Sequence, residues 1–242
     1  MVIKPVIIIP CYRHGDILKK NLKSVRMFDI PVIIVDDGNP VPLSELLEGE
    51  LDGGTTVLYT ERNGGKGYAM KHGFRHALEA GYTHALQIDA DFQQDLRAVP
   101  EFFRLADQNP DALISGSPIY SNVPAGRFLA RYITHFWVAV ELGRCRLVDS
   151  MCGIRVYPLE RTCRIMNARN VGSHMSFDTE IMIRLYWNGC EIITCPVEVI
   201  YRDGGISNFR ALRDNLEISL CHTGLCIEKI LHPLKISRRT YL

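Results

Sequence analysis

The 242-residue chain lacks several features that would each have fixed a class by themselves. It contains no run of 18 apolar residues, so no membrane-spanning helix is expected. Its eight cysteines, at 11, 145, 152, 163, 190, 195, 221 and 226, include no CxxC pair and no cluster with zinc-ligand spacing. Several sit in apolar runs such as VIIIPCY, the pattern of buried thiols in a reducing compartment. Charge of one sign is missing too. With 28 basic and 27 acidic residues the net charge is +1, and nucleic acid is not expected as a partner. The opening MVIKPVIIIP stops at a proline and a polar loop, unlike a signal peptide. Internal repeats, low-complexity tracts and clear linkers are absent, so a single domain over 1–242 is expected.

What is present alternates. Apolar, β-branched runs occur at PVIIIP (5–10), PVIIVDD (31–37), TVLYTE (56–61), HALQIDAD (84–91) and DALISGS (111–117). Helical patterns lie between most of them, at 16–28, 66–81 and 95–109, with one short helix expected at PLSELLEG. Strands separated by helices predict βαβ crossovers and a mainly parallel central sheet flanked by helices, an α/β class. After 118 the alternation breaks. Helices are expected at 125–143, 158–168, 177–189 and 208–231, with a strand at CEIITCPVEVIYR.

The carboxylates stand where strands end: Asp36 and Asp37 after the second run, Asp89 and Asp91 after the fourth. Ligands of open α/β sheets gather at the carboxyl ends of strands. In extended backbone Asp89, Asp91 and Gln93 share one face, and converging carboxylates need a cation. Mg2+ or Mn2+ takes such oxygen ligands and completes its shell with water and diphosphate. The competing reading is a solvated strand end with helix-capping acids. Between the third strand and the next helix, ERNGGKGYAMKHG (61–73) is a glycine-rich turn whose amides would meet an anion, with Lys66 beside it. It is neither a P-loop nor GxGxxG. A metal site and an anion turn on one sheet edge together suggest a nucleotide diphosphate.

IIIPCYRHG, VIIVDDG and NGGKGYAMKHGFRHALEAGYTHALQIDADFQQD stand in the order and spacing of family 2 glycosyltransferases with the GT-A fold, which the chain therefore resembles. DSMCGIRVY, FDTEIMIRL and CPVEVIYRDGGISNF resemble the dolichol-phosphate-mannose-synthase-like branch, and the likeness covers roughly 5–220. It implies a Rossmann-like GT-A domain with a nucleotide-sugar-binding half (1–118), an acceptor-binding half (119–230) and a basic tail (231–242). It also implies roles. Pro10 and Tyr12 would border the nucleobase, and Asp36 or Asp37 would hydrogen-bond base or ribose. Asp89, Asp91 and Gln93 would hold the metal, Lys66 would lie by the donor, and Arg202 would grip its diphosphate. Transfer would invert the anomeric configuration.

The branch commonly carries an acid where His14 stands, an arginine where Pro118 stands and a lysine where Asn208 stands. Neither a GDP-mannose donor nor a polyprenyl-phosphate acceptor follows from the resemblance alone. A hydroxyl acceptor would call for a general base, for which Asp178 and then Asp149 are candidates. The structural alternatives are a pairing of Asp149 with Arg155 and a capping role for Asp178. Arg127, Arg131, Arg155 and Ser207 are candidate acceptor-binding residues. In 127–143, Phe128, Leu129, Tyr132, Ile133, Phe136, Trp137 and Val140 make one face, and Arg127, Arg131 and His135 another. That layout suits an interfacial helix beside a lipid or lipid-phosphate acceptor, with the protein cytoplasmic and peripheral at the inner face of the membrane. The competing functions are a nucleotidyltransferase and a non-catalytic nucleotide-sugar-binding protein.

Overall fold

The computed structural model describes residues 2–120, 125–143, 148–200 and 210–231. Its centre is one seven-stranded sheet. The strands are β1 (Pro5–Cys11), β2 (Val32–Asp36), β3 (Thr55–Tyr59), β4 (His84–Gln87), β5 (Leu113–Tyr120), β6 (Arg155–Pro158) and β7 (Ile192–Val199). Their spatial order is β3-β2-β1-β4-β6-β5-β7. All pairings are parallel except those of β6, which runs antiparallel to both β4 and β5. The helices are α1 (Gly15–Arg26), α2 (Leu43–Leu46), α3 (Lys66–Glu79), α4 (Val99–Gln108), α5 (Ala125–Leu142), α6 (Leu159–Ala168), α7 (Phe177–Trp187) and α8 (Ala211–Leu231).

The run VIII of β1 is buried on both faces, as a central parallel strand must be. Successive side chains leave opposite sides of the sheet. Val6 and Ile8 therefore join the layer of α3, α6 and α7, while Ile7 and Ile9 join the layer of α1 and α4. Phe74 of α3 anchors the first layer, its ring centroid 4.9 Å from that of Tyr157 on β6 and 6.4 Å from that of Phe177 on α7.

Three local expectations change. β4 ends at Gln87, short of the carboxylates, because Asp89–Phe92 is a turn closed by the Phe92 amide on the Asp89 carbonyl at 3.1 Å. The strand β6 was not anticipated. It is only four residues long and wholly buried, so no alternation marks it. The expected helix at 95–109 begins with a 3₁₀ turn at Leu96–Ala98, where Asp95 accepts from the Arg97 amide at 2.9 Å, and Pro100 then fits the first turn of α4.

No described helix is long and apolar enough to cross a membrane. On α5, Phe136, Trp137 and Val140 are exposed, while Val138 and Leu142 enter the core.

Truncating Phe74 would empty a site shared by α3, β6 and α7. Phe74→Ala is expected to cost about 3–5 kcal/mol of stability. Urea denaturation followed by circular dichroism measures it, and a loss under about 1 kcal/mol would contradict this packing.

Candidate active site

β1, β2 and β4 are mutually parallel through β1, so their carboxyl ends open on one edge. At the end of β1, Pro10 and Tyr12 are half-buried. The Arg13 guanidinium stands 5.1 Å from the Tyr12 ring centroid, and His14 donates through Nδ1 to the Tyr12 carbonyl at 2.9 Å.

Asp36 and Asp37 are both buried, and backbone amides occupy both. Asp36 accepts from the Asn39 amide at 2.9 Å and the Leu43 amide at 2.8 Å, which folds the loop after β2. Asp37 accepts from the amides of Gly64 and Gly65, each at 2.9 Å. Burial pushes the Asp37 carboxyl up, and those two amides pull it back. The glycine-rich turn was expected to offer its amides to an anion; Gly64 and Gly65 instead give theirs to Asp37. Gly65 has φ +93°, and a Cβ there would fall 2.8 Å from the Ser173 carbonyl oxygen, so the turn needs glycine at this point. A cleft of about 470 Å³ opens beside the turn, lined in part by Tyr59, Arg62, Tyr68 and His72.

Lys66 is the first residue of α3, where the helix dipole disfavours a cation. Carboxylates from two other elements compensate. Its Nζ lies 2.6 Å from Asp178 Oδ2, and 2.8 and 3.0 Å from the two oxygens of Asp89. Burial alone would lower this ammonium, but Asp178 and Asp89 outweigh it and hold it above its ordinary range. Gln87 Nε2 reaches the same two acids, at 3.3 Å from Asp178 and 3.4 Å from Asp89. Burial pushes the Asp89 carboxyl up to about 6, Lys66 opposes that, and the charges of Asp91 and Asp178 add to it. Asp89 can lie where it does because residue 153 has no side chain: a Cβ on Gly153 would stand 1.8 Å from Asp89 Oδ2.

Asp91 sits on the far side of the turn, half-buried. One of its oxygens accepts from the Gln93 amide at 3.2 Å, and the other has no partner among the described residues. The shared-face geometry expected of an extended DxD does not apply, since β4 ends at Gln87 and Asp89–Phe92 is a turn. The turn nevertheless keeps Asp91 close enough for its charge to act on Asp89. Among the described residues no group of three His, Cys, Asp or Glu side chains is placed to hold a metal. The donor set still fits a hard divalent cation. Asp91 has an oxygen without a partner among the described residues, Gln93 follows two residues on, and Asp89 lies two residues before.

The base candidates are both engaged. Asp178 lies in the first turn of α7, but its carboxylate goes to Lys66 and Gln87 rather than to a helix amide. Asp149 accepts from the Met151 amide at 2.7 Å and stands 3.5 Å from His135 Nε2. The expected pairing of Asp149 with Arg155 runs through the backbone, the guanidinium donating to the Asp149 carbonyl at 3.3 Å. Arg155 was expected at the acceptor. It is instead wholly buried, with its second nitrogen donating to the Asp178 carbonyl at 2.6 Å, a position no acceptor outside the fold can touch. Arg127 and Arg131 lie on α5, but their side chains fall outside the described residues, as do Arg202 and Ser207 entirely. Sequence reasoning missed the bridging role of Lys66 and that of Gln87. The signal for the first was a lysine at the disfavoured end of a helix.

The mostly parallel seven-stranded sheet flanked by helices has the GT-A architecture, and the solved structures it resembles are GT-A glycosyltransferases. Residues 6–176 match the model of glycosyl transferase family 2, and the chain belongs to that family. Over 209 residues it is 25% identical to undecaprenyl-phosphate mannosyltransferase of Micrococcus luteus, covering 83% of this chain and 85% of that one. An uncharacterized protein of Methanocaldococcus jannaschii is 26% identical over 212 residues, 84% of this chain and 90% of its own. Glucosyl-3-phosphoglycerate synthase of Mycobacterium tuberculosis superposes with a TM-score of 0.68 at 14% identity, covering 93% of this chain and 81% of that one. The same enzyme with Mn2+, UDP-glucose and phosphoglyceric acid superposes at 0.64 and 13% identity, covering 93% and 80%. The chain is a glycosyltransferase.

Replacing Lys66 by methionine keeps the length of the side chain and removes the charge between two acids. Lys66→Met is expected to cost about 3 kcal/mol at neutral pH, the range for breaking a buried pair. Asp89 lies above the ordinary carboxylate range, so its ionised form is the one that suffers. The loss should therefore shrink as pH falls through about 6. Urea denaturation at several pH values tests this, and a pH-independent loss would contradict it.

Proposed function

We propose that the chain transfers a sugar, with inversion, from a nucleotide-sugar donor to a lipid or polyprenyl-phosphate acceptor at a membrane surface, using Mg2+ or Mn2+. The observation that carries this reading is the carboxylate oxygen of Asp91, without a partner among the described residues, near the Asp89–Lys66–Asp178 cluster at the carboxyl edge of parallel strands. The Mycobacterium tuberculosis enzyme crystallised with Mn2+ and UDP-glucose supports the donor class and the metal. The Micrococcus luteus relative supports the acceptor class.

In this reading Pro10 and Tyr12 border the base, and Asp36 and Asp37 act indirectly by shaping the loops around it. Asp91 and Gln93, with Asp89 beside them, hold the divalent cation. Bound there, the cation would neutralise charge growing on the departing diphosphate. Arg202 grips the same diphosphate, and Lys66 fixes Asp89 against the sugar. Arg127 and Arg131 meet the acceptor phosphate in place of the cation absent at Pro118, with Ser207 nearby. A phosphate oxygen is already a nucleophile, whereas a hydroxyl acceptor would need a base. Both carboxylates that would serve as base, Asp149 and Asp178, are taken up by other groups, which favours the phosphate acceptor.

The test is a thermal-shift screen of UDP-, GDP- and dTDP-sugars with manganese. One nucleotide class should stabilise the protein by about 2.7 kcal/mol at a hundredfold excess over Kd. Asp91→Ala should remove the metal-dependent part and leave the unliganded melting temperature within about 2 °C. Equal donor binding by the folded variant would overturn the site.

A further inference from the structure

Helix α8 is built inside out. Its exposed side carries Leu212, Leu216, Leu220, Ile227, Ile230 and Leu231, with Leu212 at 92% exposure. These positions repeat at helical spacing and, at 1.5 Å per residue, form a stripe about 29 Å long. The other exposed positions between them are Arg213, Asn215, Ser219, Thr223 and Gly224, of which only Arg213 at the start is charged. The ionisable groups of α8 beyond Arg213 turn toward the protein. Asp214 accepts from the Arg210 amide, Glu217 accepts from Ser176 Oγ at 2.7 Å, and His222 meets Glu141 at 2.8 Å. Glu228 pairs with Arg184 at 3.0 Å and Arg169 at 3.4 Å, and Lys229 donates to the carbonyls of Val140 and Glu141. A helix on a water-facing surface places these groups the other way round.

Two further observations say what covers the stripe. Helix α5 packs beside α8 and adds exposed Phe136, Trp137 and Val140 to the same region; aromatic residues of this kind sit at the boundary between lipid headgroups and hydrocarbon. The charge at the ends of the stripe is basic. Exposed Arg210 and Arg213 stand at its start. The sequence after its last residue carries Lys235, Arg238 and Arg239 with no acid. A soluble protein partner would ordinarily meet a polar, mixed-charge rim. An apolar side free of charge beyond Arg213, with cations at its start and basic residues following in sequence, matches an anionic bilayer surface.

We infer that the outward face of α8, with Phe136 and Trp137 of α5, is a docking surface for an anionic lipid bilayer, on which α8 lies parallel to the membrane plane. This takes up the membrane surface of the proposed function and goes further, since it rests on α8 and not on the donor site. The two readings therefore fail separately.

The experiment is flotation of the full chain with vesicles of phosphatidylcholine alone or mixed with phosphatidylglycerol. The protein should float with the anionic vesicles, and less so at high salt. Leu216→Glu with Leu220→Glu should lower vesicle binding by about tenfold or more. Circular dichroism and the metal-dependent nucleotide-sugar thermal shift should stay unchanged. If that pair fails to fold, Leu216→Gln with Leu220→Gln gives the milder comparison. Absence of flotation with either vesicle overturns the inference, and so does equal binding by a folded variant. Sedimentation of the lipid-free protein as a dimer that the variant converts to monomer overturns it too, assigning the face to a second copy. Vesicle binding without any nucleotide-sugar shift would count against the proposed function and leave this surface standing.

Discussion

The site depends on one ammonium group. Lys66 begins α3, Asp89 follows β4 and Asp178 opens α7, so a single cation ties together three elements far apart in sequence. At about 3 Å and an effective dielectric near 20, each such contact is worth on the order of 5 kcal/mol before desolvation. Without the cation, Asp89 and Asp178 would face each other as like charges in a half-dry cleft. The surroundings are arranged around this contact. Gly153 leaves room for the Asp89 carboxylate, Gln87 donates to both acids, and buried Arg155 holds the Asp178 carbonyl from behind. Asp37 fixes the glycine turn from which Lys66 projects.

That arrangement bears on the chemistry. Asp89, Asp91 and Asp178 bring three negative charges, and Lys66 returns one positive charge, so two negative charges remain to be met. Under the proposed function a divalent cation bound there would meet them, and the donor diphosphate would bring the charge that the cation shields. The strain is visible in Asp89, whose carboxyl is driven up by burial although an ammonium touches both its oxygens. Asp178 has a different standing. Held by Lys66 and Gln87, it is suited to orienting a neighbour and poorly suited to receiving a proton from a hydroxyl.

The sheet was largely legible because its strands are short apolar runs punctuated by helices, and β1, β2, β3, β5 and β7 lie within a few residues of the expected runs. The antiparallel β6 was not legible. Four buried residues carry no periodicity, and their partners Leu86 and Ile114 are distant in sequence. The edge at which the carboxylates gather could be read from strand direction, but their geometry could not. The strand stops at Gln87 and Asp89–Phe92 closes into a turn, so Asp91 does not share an extended face with Asp89, and sequence spacing does not report where a strand stops. Arg155 misled for another reason. An arginine in a motif reads as surface chemistry, yet here it replaces missing backbone hydrogen bonds inside the fold.

α8 shows the same limit from the opposite side. The sequence marks a closing helix at 208–231 but not its facing, and charge ordinarily turns to water. Tertiary partners reverse that. Arg184 and Arg169 draw Glu228 inward, Ser176 draws Glu217, and the α5 carbonyls draw Lys229, leaving leucines and isoleucines outside. One of these contacts also ties the surface to the site. Ser176 is the residue before α7 and two before Asp178, so the hydrogen bond to Glu217 fixes α8 against the helix end that presents Asp178 to Lys66. A bilayer engaging the outer face of α8 would therefore press on an element already connected to the acids of the cleft, and the orientation of that helix is part of what sets their positions.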